Sequence, residues 1–68
     1  METYEQQMKD SEMIFKQITS VNYADFSEAK RAIVMLYVPD MTIARAGISH
    51  ALKRIETWYN QKIQEASS

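Results

Sequence analysis

The 68-residue chain contains no cysteine and only one glycine, one proline and one histidine. Each scarcity closes off a class of protein. Without cysteine there can be no disulfide, no thiolate zinc site and no thiol nucleophile. A single Gly and a single Pro supply too few turns for a many-stranded all-β fold. The longest run of large apolar residues, Ile33 to Val38, is six residues, against the roughly 18 that a membrane span needs. No membrane segment and no secretory leader are therefore expected. Charge of one sign is also lacking: the formal net charge is −1, which exerts no global pull toward nucleic acid or anionic lipid.

What is present is a globular composition, 46% hydrophobic and 25% charged, too apolar for a disordered segment. Residues 1–68 make one domain, with no internal repeat and no linker. A chain of this size buries only about 60% of the surface it exposes when unfolded. Well-formed helices and association must then supply the stability that disulfides or metals give other small domains. A homodimer or a partner protein is expected to complete the core.

The hydrophobic spacing predicts three helices, at about 3–20, 23–37 and 41–65. In the first, Tyr4, Met8, Ser11, Phe15, Ile18 and Val21 step by three and four along one face,. Ser11 interrupts the apolar series and is small enough for a close helix crossing. Asn22 is a good cap for the second helix, with Val21 and Phe26 as a hydrophobic staple; Asp25 with Glu28 offers a competing cap one turn later. The second helix presents Phe26, Ala29, Ile33, Leu36 and Tyr37 on one side. Pro39 stops it, by pushing Val38 out of the helical region. The run 33–38 has strand character, but no second run exists to pair with it.

Asp40 or Thr42 caps the third and longest helix. Ala44, Ile48, Leu52, Ile55 and Tyr59 form its stripe, widened by Ala51, Trp58 and Ile63,. At about 1.5 Å per residue it outreaches the other two, which leaves part of its apolar face for another chain. The expected fold is a small all-α three-helix domain, two shorter helices packed antiparallel on a long C-terminal one.

Little in the sequence suggests chemistry. His50 lies opposite the third stripe, one turn from Arg54. Ser49 diverges from it by about 100° around the helix, and no carboxylate stands three or four residues away. Neither a nucleophile–base pair nor a metal site is assembled there. No catalytic residue, cofactor, metal or small-molecule substrate is expected.

Charge is unevenly placed. Lys9 stands alone against Glu2, Glu5, Asp10 and Glu12 in residues 1–15, a balance of −3. Residues 16–62 set seven Lys and Arg against Asp25, Glu28, Asp40 and Glu56, a balance of +3. Surface pairing between the helices explains this simply; a basic face on the third helix that meets an acidic partner or DNA is the sharper reading. Met41 to His50 resembles a helix-turn-helix segment turning at Gly47. The two positions that such a motif buries, six and nine residues beyond the glycine, are Lys53 and Glu56. One continuous helix through Gly47 is expected instead, and Gly47 could admit a second backbone there.

Met13, Met35 and Ile43 fall opposite their helices' stripes, and Trp58 lies at a stripe's edge. Together these point to binding: a small cytoplasmic regulator, as adaptor, inhibitor or regulatory subunit of bacterial or phage type, acting by helix–helix association. The expected protein-binding residues are Tyr37, Met41, Leu52, Trp58 and Tyr59 as apolar anchors, with Arg45 and Arg54 as orienting charges. Self-association through the third helix is the expected contact. The alternative is a dimeric DNA-binding regulator that turns Arg45, His50, Lys53 and Arg54 toward phosphate.

Overall fold

The computed structural model describes residues 3–67, in the order α1 (Tyr4–Thr19), α2 (Phe26–Tyr37) and α3 (Arg45–Ser67). The chain is a small all-α domain, and none of its described helices is long and apolar enough to cross a membrane. Thr3 caps α1, its hydroxyl accepting the Gln6 N–H at 3.1 Å. Glu5–Lys9 and Glu12–Lys16 pairs brace the exposed side of α1 at 3.6 and 3.3 Å. Each contributes only about 0.3–0.5 kcal/mol at that exposure. At the other end the hydroxyls of Thr19 and Ser20 donate to the Phe15 and Gln17 carbonyls at 2.7 Å. These bonds offer the last turn an alternative to continuing.

Of the two caps available to α2, the structure uses Asp25. Its carboxylate accepts the Glu28 N–H at 2.9 Å, and Glu28 reaches back to the Ala24 N–H at 2.7 Å. This reciprocal pair outcompetes Asn22, so α2 starts three residues later than expected and the Val21–Phe26 staple does not form; Val21 is exposed,. Val38 keeps helical torsions (φ −62°, ψ −40°) and its N–H still reaches the Val34 carbonyl at 3.3 Å. Pro39 thus ends α2 by the N–H it lacks, not by displacing its neighbour.

α3 also starts later than expected, by four residues. Asp40 is engaged locally: one carboxylate oxygen accepts both the N–H and the hydroxyl of Thr42, at 2.9 and 2.6 Å. That closes an Asx turn instead of capping a helix. These two bonds hold the exposed Asp40 carboxyl below its ordinary value,.

The relative directions of the helices follow from what they touch. Gln7 and Asp10 lie against Gly47, while Phe15 lies beside Arg54 and Trp58. α1 and α3 therefore run parallel, not antiparallel as expected. Phe26 and Lys30 of α2 flank Leu52 and Glu56, whereas Val38 flanks Arg45 and Ile48. α2 is the antiparallel return leg of an up-down-up arrangement. Short connections leave no other route, since each must reverse the chain.

Ile14, Ile18, Ala29, Ile33, Ala51 and Ile55 are almost wholly removed from water at the centre, with Tyr37, Ile48 and Tyr59 around them. Each large apolar side chain so buried contributes about 1.5–3 kcal/mol. The face of α1 is rotated from the expected stripe toward Ile14, because α2 packs on that side as well. Tyr4 is left exposed, and Phe15 becomes a half-buried edge residue. Met13 and Ile43, expected to face outward, are half-buried against the core. Beyond Tyr59 every described residue of α3 is exposed. This is the predicted overhang, though Ile63 is its only large apolar residue.

Candidate interaction surfaces

α1 and α3 cross closely at Gly47. A Cβ on Gly47 would lie 2.9 Å from the Gln7 carbonyl oxygen and 3.0 Å from the Asp10 Cβ. The backbone that Gly47 admits is therefore that of its own α1. Ser11 fills the same crossing, fully buried, with no hydrogen-bond partner for its hydroxyl among the described residues. Beside it, buried Asp10 accepts the Ala44 N–H at 2.8 Å and the Gln6 side-chain amide at 3.0 Å. Ala44 in turn accepts the Ile48 N–H, which makes it the first residue of the α3 hydrogen-bond ladder. The anionic group at the start of α3 thus comes from another helix, where it also meets the positive end of the α3 dipole.

The seven residues that the sequence points to as partner contacts do not form one face. Tyr37 and Tyr59 are core residues, 7% and 6% exposed. The Tyr37 hydroxyl donates to the Gln17 side chain, and that of Tyr59 points at the Tyr23 carbonyl, 3.5 Å away. Burial raises both phenols above their ordinary value, with Tyr23 as a further cause at each. Neither ring is available as an exposed anchor. Leu52 is half-buried in a shallow cleft between α2 and α3 with Phe26, Lys30, Lys53 and Glu56.

The other four residues lie on two separate surfaces. Arg54 and Trp58 sit on the α1–α3 seam, where Trp58 meets Phe15 edge to face at 6.5 Å between ring centroids. The Arg54 guanidinium lies 4.6 Å above the Phe15 ring, and the Lys62 ammonium 4.2 Å above Trp58. Phe15 joins this surface because of the rotation of α1, which its sequence spacing does not reveal. Arg45 lies instead at the opposite end of α3, in a small cleft with Val38 and Met41. Nine residues separate Arg45 from Arg54, about 180° around a helix. With Lys53 on a third side, the basic residues do not line up as a stripe, and His50 is half-buried.

Met41 is 92% exposed and extends a larger apolar surface. Residues 32–39 include no charged side chain, so this end of α2 is hydrophobic on every side, the pattern of a helix buried all round. Only its inner side is covered, by Ile33 and Tyr37 facing the core. Val34, Met35 and Val38 lie together on the outer side and remain exposed, Met35 to 71%, and Leu36 is exposed on the flank. The sequence flags Met35 and Met41 and misplaces Leu36 on the core stripe. α3 carries no comparable surface: Ile48, Ala51, Ile55 and Tyr59 are all buried under α1 and α2. The surplus apolar surface expected on α3 is on α2.

Among the described residues no group of three or more His, Asp and Glu is placed to hold a metal ion. The geometry defines an all-α three-helix domain with one uncovered apolar helix end and one cation-flanked aromatic seam. No protein-family model, curated protein or solved structure matches the chain.

Proposed function

We propose that this chain is a small cytoplasmic regulator that acts by binding protein, another chain or its own copy, and carries out no catalysis. The observation that supports this reading is the uncovered end of α2, where Val34, Met35, Val38 and Met41 form one apolar surface. Contiguous exposed apolar residues of this kind mark association sites on small soluble domains, and methionine adapts readily to a partner's shape. The mode of binding is helix packing, in which the outer side of α2 gains the second layer that its sequence pattern calls for. Self-association through this face replaces the α3 contact expected from sequence.

The test compares wild type with the double variant Met35→Glu, Met41→Glu. Light scattering over a concentration series and capture from native lysate are read together, with helicity and melting as controls. The wild type is expected to self-associate or to capture a partner, and the variant to remain folded and do neither. Association that survives both substitutions would overturn the reading, as would a wild type that stays monomeric and captures nothing.

A further inference from the structure

We infer that the α1–α3 seam is a second binding surface, for an acidic amphipathic helix whose carboxylates meet Arg54 and Lys62. The groove there is about 290 Å³ and is lined by Phe15, Arg54, Thr57, Trp58 and Gln61. No carboxylate lines it. Among the described residues the ion pairs are Glu5–Lys9 and Glu12–Lys16, and neither Arg54 nor Lys62 has an acidic partner. Both cations are instead laid over ring faces. That contact orders a long side chain without neutralising its charge or using its hydrogen-bond donors. A carboxylate arriving at Arg54 finds the guanidinium already oriented, so less side-chain entropy is lost on forming a two-pronged contact.

The spacing selects the shape of the occupant. Arg54, Trp58 and Lys62 are successive i, i+4, i+8 positions on one side of α3, so the backbone positions of the two cations are about 12 Å apart along the helix. A partner helix with acidic residues eight apart presents the matching pair of charges. The rings' own cations also discriminate against nucleic acid. A single-stranded base binds such a surface by stacking on an aromatic face, and here Arg54 occupies the face of Phe15 and Lys62 that of Trp58. This seam shares no residue with the outer side of α2, so the inference stands independently of the proposal above.

Trp58 is the chain's only tryptophan and reports directly on its own groove. The full-length protein is titrated with a synthetic helical peptide carrying Glu at two positions eight apart around a central Leu. The same peptide with Gln for Glu and a single-stranded oligonucleotide are run in parallel. Trp58 emission is expected to shift with the Glu peptide only, with affinity falling as salt rises. Arg54→Gln and Lys62→Gln are each expected to weaken binding about tenfold, the loss of one charge-assisted contact. Arg54→Glu should lose the acidic peptide and gain one with Lys at the facing position, a reversal that loss of folding cannot imitate. Equal affinity for the Gln peptide, tighter binding of the oligonucleotide, or no response to charge reversal would each overturn the assignment.

Discussion

Gly47 and Asp10 act at one place and by different physics. Gly47 is needed for what it lacks. A methyl group there would press on the Gln7 carbonyl, which is backbone inside a helix and cannot swing aside. Gly47→Ala would raise intrinsic helix propensity by up to about 1 kcal/mol, yet the overpacking costs about 1–3 kcal/mol. The clash wins, and urea unfolding is expected to show a net loss of stability where an ordinary mid-helix Gly→Ala would gain. Asp10 is needed for what it accepts. Asp10→Ala leaves the buried Ala44 N–H without its partner and is expected to cost about 1–2 kcal/mol, the range for a lost helix cap. Because that cap is held from α1, amide exchange should rise at the first turn of α3, while the first turn of α2, capped by Asp25, stays protected.

Among the elements, α2 is uncovered on its outer side, and two tyrosine hydroxyls tie it and the connection before it to the other helices. Tyr37 ties its C-terminal turn to Gln17 of α1, and Tyr59 of α3 reaches back to Tyr23 in the connection before it. Both phenols have raised pKa values, burial being the first cause, against an ordinary value of 10.0. The sign of the linkage follows from this. An unfolded chain ionises these groups near pH 10, whereas the folded chain resists, so their stabilisation is complete below that pH and is lost as pH rises through the raised values. Circular dichroism melts between pH 8 and about 12 should show a steep alkaline loss of stability. Tyr37→Phe is expected to flatten that loss, since it deletes one of the two ionisations, at a neutral-pH cost of about 1 kcal/mol for the missing hydrogen bond. An unchanged alkaline slope would mean that the phenols are solvated.

For the whole molecule, shape explains why so small a core suffices and where it does not. The domain measures 44 × 21 × 15 Å, a slab one helix thick at the overhanging end of α3. Its core is confined to the region where all three helices meet, so two kinds of surface remain outside it. One is apolar, on the outer side of α2; the other is aromatic and cationic, on the seam. In a chain of this length a fourth helix laid on the outer side of α2 would bury apolar surface that the small core leaves exposed,. Binding and stability are therefore coupled here: a partner that engages the folded form raises its melting temperature with concentration.

The fold class was legible because helical periodicity is a local signal. Three stripes, the stop at Pro39 and the passage of one helix through Gly47 follow from residue spacing alone, and so did Ser11 as the close crossing. Competition between nearby caps was only partly legible. Asn22 and Asp25 are equivalent in sequence, and the choice fell to the reciprocal bond with Glu28. Tyr37 and Tyr59 fall on the apolar stripes, but that both would be covered too fully to serve as anchors was not legible, nor were the half-burial of Met13 and the recruitment of Phe15 to Arg54. They depend on how far each helix is rotated about its own axis, which neighbouring helices set together. The sequence by itself thus determined which segments become helices and that apolar surface would be left over. Only the tertiary structure decided which surface that was. Asp10 and Ala44 are 34 residues apart, and no local pattern records that one caps the start of the other's helix; that contact exists only once α1 and α3 have packed parallel at Gly47.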